Sequence, residues 1–205
     1  MAGNKESCVD CGPGESRKSA ASRVFDTAKD LFYRRGIRAV GVDEIVCEAG
    51  VTKPSLYRAF KSKDDLVTAC LTQNAAEGRE GILAAIAAAG DDPRKRLSAV
   101  IDHHADKIRC PDYRGCPISN VAVEMPEPGN PGREVLEQCK TDFRAIMVDL
   151  SRDLDVAYPE ALADGLLLVI EGAIATHHIF GSQGPALSLV ETCESLIDSH
   201  MERAR

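Results

Sequence analysis

GVDEIVCEAGVTKPSLYRAFKSKDDLV, residues 41–67, decides the reading of this 205-residue chain. Val42, Ile45, Val46 and Ala49 recur at helical spacing and give a short helix one buried face. Gly50 follows at once and is a helix stop, and Val51 is placed to plug the core beyond it. Thr52 is the expected N-cap of the next helix, with Pro54 inside its first turn, where a missing N–H costs little. Leu56 and Phe60, four apart, anchor this second helix. Hydroxyls and cations are left outside, in the layout of a helix-turn-helix whose second helix enters the major groove. Ser62 then caps a further helix, with Lys63, Asp64 and Asp65 in its first turn. The expected DNA contacts are Val42, Thr52, Lys53, Pro54, Ser55, Tyr57, Arg58, Lys61 and Lys63. Of these, Tyr57 and Lys63 are assigned to phosphates, and Thr52, Lys53 and Ser55 to base edges.

These residues carry a resemblance. The run from Phe25 to Val67 is similar to the N-terminal DNA-binding domain of the TetR family of one-component transcriptional regulators. The matching landmarks are FDTAKDLFYRRG (Phe25 to Gly36), Val42 to Ile45, Ala49-Gly50-Val51, Leu56-Tyr57, Phe60 and Ser62-Lys63. The strong match covers about a quarter of the chain; the remaining helices agree with the family in length and pattern. The resemblance implies an all-α homodimer, with a three-helix DNA-binding domain followed by a larger helical domain that holds a ligand pocket and the dimer face.

Charge agrees with a DNA partner once its distribution is considered. The net charge is −7, yet residues 1–63 carry 12 Lys and Arg against 8 Asp and Glu, while residues 64–205 carry 13 against 24. The basic part coincides with the helix-turn-helix, so its local field favours phosphate. The polar N-terminus has no signal-peptide pattern and no apolar run is expected to span a membrane, which points to the cytoplasm. Eight cysteines in such a chain are expected as thiols.

The organisation is a flexible tail over 1–15, a DNA-binding domain over 16–63 and a ligand-binding and dimerisation domain over 64–205. Helices are expected over 16–35, 42–49, 52–60, 63–89, 93–108, 116–124, 131–153, 159–181 and 185–203. The segment 159–181 is apolar on more than one side, through residues such as Leu162, Leu166, Leu168, Ile170, Ile174 and Ile179. Such a helix needs two partners: its own core and, by the resemblance, the same hairpin of a second subunit. Two recognition helices on one dimer imply a palindromic operator.

The signal site is set by Tyr113-Arg114-Gly115-Cys116-Pro117-Ile118-Ser119-Asn120, which resembles a GCxxxN pattern found in a subset of TetR-type regulators. Pro117 fits a first helical position and makes Cys116 the N-cap. There Cys116 is either a reactive thiol at the positive end of a helix dipole or simply a small residue that starts a helix. The candidate pocket residues are His104, Tyr113, Cys116, Asn120, Phe143, Met147, Ile174 and His178, an apolar set with a few polar handles.

His103-His104, Cys110, Cys116 and His177-His178 lack a metal-ligand spacing, and the Cys8/Cys11 pair has no second pair beside it, so neither a metal nor a cofactor is expected. Gly-rich phosphate loops, triad order and metalloprotease motifs are missing, which sets an all-helical enzyme aside. The resulting expectation is a repressor released from its operator by a small molecule, the alternative being a cysteine-based redox or electrophile sensor of the same fold.

Overall fold

The computed structural model describes residues 18–203. The expected tail over 1–15, the Cys8/Cys11 pair and the start of the first helix at Ser16 lie outside the described residues. Those residues form nine α-helices and no strand. Helix α1 (Ala20–Arg35) is capped by the Ser19 hydroxyl, which accepts from the Ser22 N–H, and it ends at Gly36, whose φ of +88° suits glycine. Helices α2 (Val42–Glu48) and α3 (Lys53–Ala59) are joined by a tight turn at Gly50, φ +60°. Helix α4 (Lys63–Ala88) starts at Ser62, whose hydroxyl accepts from the Asp65 N–H at 3.0 Å.

Then follow α5 (Pro93–Arg109), α6 (Pro117–Glu124), α7 (Pro131–Arg152), α8 (Pro159–Phe180) and α9 (Leu189–Arg203). Each of α5 to α8 has proline in its first turn. Side chains complete two of these starts: Asp92 accepts from Lys95 N–H, and Asn130 accepts from the N–H groups of Gly132 and Arg133. The expected helix start at Pro185 does not hold. Gly181–Gln183 and Pro185–Ser188 are two 3₁₀ turns, closed by Gly184 N–H to Gly181 O and Leu187 N–H to Gly184 O, and α9 begins only at Leu189.

Two apolar cores share α4. The first joins Val24, Ala28, Leu31, Phe32, Ile45, Leu56, Leu66, Val67 and Leu71. The second joins Ile82, Ile86, Leu97, Ile101, Met147, Leu162, Leu166, Ile170, Cys193 and Ile197. At 26 residues, α4 is a rod of about 39 Å whose first turns belong to one core and whose last turns belong to the other. The first core does not close at Lys63. Ile118 and Val121 of α6, Met125 at its end and Leu136 of α7 are also part of it. Three short helices bury too little apolar surface on their own, and each further buried aliphatic side chain contributes about 1.5–3 kcal/mol.

Helix α8 alters one expectation. With its following turn it is the one described helix long and apolar enough to cross a membrane by length and composition, and only a third of its most apolar window is buried. Its inner face, with Leu162, Leu166, Ile170 and Ile174, is core, while Leu168 and Ile179 on the opposite side are 76% and 72% exposed.

Candidate nucleic-acid interface and the cavity behind it

Helix α3 is fixed from beneath. Leu56 is fully buried, and Phe60 stacks on Phe25 of α1 with ring centroids 6.5 Å apart. The outer surface then presents Thr52, Lys53, Pro54, Tyr57, Arg58 and, just beyond the helix, Lys61, all exposed; Val42, Ser55 and Lys63 are half-buried. Thr52 occupies the N-cap position, but its hydroxyl makes no capping bond and instead pairs with the Ser55 hydroxyl at 3.0 Å. Lys53 lies 2.6 Å from Asp43 on α2. Such an exposed pair contributes about 1 kcal/mol or less, so a phosphate can displace it.

Lys63 is held more tightly. Its ammonium donates to the Ile37 carbonyl at 2.6 Å and sits 5.9 Å from the centre of the Phe32 ring, tying the start of α4 to the turn after α1. Lys63→Ala is expected to weaken binding to all DNA sequences alike and to flatten the dependence of log K on log salt by about one. A lowered melting temperature with an unchanged salt slope would make Lys63 a backbone anchor only.

Behind this bundle a cavity of about 1110 Å³ opens among α1, α4, α5, α6, α7 and α8. Five of the eight expected pocket residues line it: His104, Tyr113, Cys116, Phe143 and Ile174. Asn120, Met147 and His178 do not. The Asn120 amide donates back to the Arg114 carbonyl at 3.5 Å and closes the loop before α6. Met147 follows Phe143 by one turn but is fully buried in the second core. His178 is exposed, with its Nε2 set against Gly115.

Residues missed in the sequence complete the wall: Tyr33 and Lys29 from α1, Lys107 from α5 and Lys140 from α7. For Lys140 one signal was available, its place three positions before Phe143 on the same helical face.

The electrostatics of the inner wall follow from burial. His104 donates from Nδ1 to the Val100 carbonyl at 2.9 Å and stacks on Phe143 with centroids 5.2 Å apart. Burial lowers its pKa to about 4, so the ring is neutral at physiological pH. Burial likewise pushes the Tyr113 phenol up. For Lys140 burial opposes the charge, but Cys116 and Glu171 beside it win, and its pKa is raised. The ammonium is ion-paired with Glu171, whose other oxygen accepts from Ser119 at 3.0 Å. Cys116 stands at the N-cap of α6 without a side-chain capping bond, its Sγ 4.0 Å from Lys140 Nζ. Among the described residues no three His, Cys, Asp or Glu side chains converge to hold a metal ion.

The cavity is also bound physically to the DNA-binding bundle. The Tyr33 hydroxyl of α1 accepts from the Arg114 N–H at 2.7 Å and donates to the Gly115 carbonyl at 3.2 Å. The Arg38 N–H donates to Glu124 of α6 at 3.1 Å. Lys29 of α1 pairs with Glu77 of α4 at 2.6 Å.

A helix-turn-helix mounted on a helical bundle with a cavity directly behind it is the architecture of a DNA-binding transcriptional regulator. The family model described as bacterial regulatory proteins, tetR family, matches residues 24–70. The HTH-type transcriptional activator FasR of Mycolicibacterium smegmatis is 31% identical over 155 residues, 75% of this chain and 69% of that protein. A TetR-family transcriptional regulator of Streptomyces coelicolor has a solved structure that superposes with a TM-score of 0.81 at 29% identity, covering 90% of this chain and 95% of that one. A tetR-type regulator of Streptomyces avermitilis does so with a TM-score of 0.76 at 30% identity, covering 89% and 98%. The chain belongs to the TetR family of transcriptional regulators.

Proposed function

We propose that the protein is a cytoplasmic homodimeric repressor that reads a palindromic operator through α3 and leaves it when a small molecule fills the cavity. One observation carries this reading: a single cavity has walls from α1 of the DNA-binding bundle as well as from α4 to α8. An occupant there touches the DNA-reading unit directly, and it shifts the DNA-binding equilibrium by its differential affinity for the two arrangements. Tyr33 and α4 are the links that move α3.

The sign of regulation needs its own test, because relatives carry both. FasR is named an activator, whereas BdcR of Escherichia coli, 39% identical over 61 residues, is named a repressor. A reporter gene bearing the protein's selected binding site across its promoter is expected to fall silent when the protein is produced. A rise would make it an activator, and no change would remove operator reading.

The Tyr33 link makes a further expected result. Tyr33→Phe leaves the Arg114 N–H and the Gly115 carbonyl without their partner, which costs about 1–3 kcal/mol where those groups stay dry. A lower urea midpoint is expected, together with a weaker response of DNA affinity to cavity ligands. A full response with unchanged stability would assign signal transfer to α4 alone.

A further inference from the structure

The inner wall around His104 sets a few polar groups among apolar side chains. The half-buried cations of the wall are paired, Lys29 with Glu77 and Lys140 with Glu171, and Ser119 completes the Glu171 carboxylate. His104 has its Nδ1 proton committed to the Val100 carbonyl, which fixes the tautomer and leaves Nε2 as a bare acceptor; among the described residues no group donates to it. Phe143 stacks on one face of the ring and His103 meets it edge-on at 5.7 Å, which supports its plane. The surrounding wall includes Ile82, Phe143, Ile146 and Ile174, which favour apolar surface.

We propose that the cavity takes a neutral, mainly apolar ring compound bearing one hydroxyl or N–H group, and that His104 Nε2 accepts the hydrogen bond from that group. This deepens the effector reading given above and rests on it. An anion would have to compete with Glu171 for Lys140 or stay at the exposed Lys107. A cation would have to take Glu171 from Lys140. A ligand lacking a donor would cover Nε2 and leave a buried acceptor unpaired, a penalty that discriminates more sharply than any added attraction.

The test uses three probes of one shape, 2-naphthol, 2-methoxynaphthalene and 2-naphthoate, with binding followed by naphthalene fluorescence at pH 7. The wild-type protein is expected to bind the naphthol about tenfold more tightly than the methyl ether, the equivalent of one buried neutral hydrogen bond. The naphthoate should bind more weakly than the naphthol. His104→Phe keeps the ring stacked on Phe143 and removes the acceptor, so the naphthol should lose its advantage, and the methyl ether, which no longer covers an unpaired Nε2, should bind more tightly than to the wild type. The wild-type ranking stands as evidence even if the variant fails to fold.

Equal binding of naphthol and ether by the wild type, or an advantage that survives in His104→Phe, would overturn the His104 assignment while leaving the cavity as the effector site. Tightest binding by the naphthoate would overturn it in favour of Lys140. Failure of all three to bind or to change DNA affinity at saturation would count against the effector cavity itself.

Discussion

Leu168→Glu is expected to yield a monomer whose affinity for a two-fold operator is lower by about a hundredfold or more, since losing one tethered module forfeits an avidity of that order. The reason lies on the outer face of α8. Leu168, Gly172, Ala175 and Ile179, spaced four, three and four residues apart, form one exposed stripe, continued by Phe180 and by Leu187 beyond the turn. A side chain at Gly172 would meet no atom within 4 Å inside the chain, so the bare backbone there is not required by the chain's own packing. Gly165, by contrast, is needed internally, because a Cβ there would come within 2.9 Å of Leu196 of α9. A glycine left open in a row of exposed apolar side chains suits the close approach of a second helix.

In the proposed two-fold dimer this face would meet its own copy, so one substitution introduces two carboxylates into the same apolar contact. An unpaired buried carboxylate costs several kcal/mol. Sedimentation velocity at micromolar concentration reads the first half of the expectation, and DNA titration reads the second. A dimeric Leu168→Glu protein, or a wild type that sediments as a monomer, would place the interface elsewhere or remove it.

Gly115→Val is expected to be the most damaging single change near the cavity. Gly115 has φ +80°, a conformation that a β-branched residue adopts only under strain. Its added Cβ would also lie well inside van der Waals contact of the His178 ring. Strain of about 1–3 kcal/mol and overpacking of similar size predict a loss of about 2–6 kcal/mol in all. His178→Ala should restore the overpacking share and leave the backbone share, so the double variant is expected to fall between Gly115→Val and wild type in urea denaturation. Wild-type stability in Gly115→Val would mean that the loop between α5 and α6 rearranges without cost, and that Tyr33 clasps a pliable segment.

The two halves of the molecule differed in how much the sequence disclosed. The helix-turn-helix was legible because its constraints are local. Gly50 needs a positive φ, Ser62 caps α4, and Leu56 is separated by one helical turn from Phe60. The start of α6 was legible for the same reason, with Pro117 in its first turn and Cys116 at its N-cap.

The cavity depends on contacts between distant segments, and there pattern reading reached only the residues that lie on apolar faces. His104, Phe143 and Ile174 were found in this way, whereas Tyr33 was hidden because its partner loop lies some 80 positions away. Lys140 was not singled out, because its partner Glu171 is brought against it only by α8. Met147 erred in the other direction: helical spacing put it beside Phe143, but whether that face meets a cavity or a packed core is decided by α5 and α8. The start of α9 is expected at Pro185, four residues early, because proline at a first-turn position starts a 3₁₀ turn as readily as an α-helix, and the continuation is set by Ala186 entering the core.

Selection of bound fragments from a random double-stranded DNA library tests the proposed operator reading most directly, with wild type run beside a Thr52→Ala, Ser55→Ala, Tyr57→Ala triple variant. None of the three side chains is buried, so the variant is expected to fold. The wild type should enrich one motif with two-fold symmetry, its half-sites spaced by about one helical turn of DNA or more. The variant should lose the motif while it keeps weak, salt-sensitive binding to any sequence. No enriched motif from the wild type, or the same motif recovered with the triple variant, would contradict operator reading by α3.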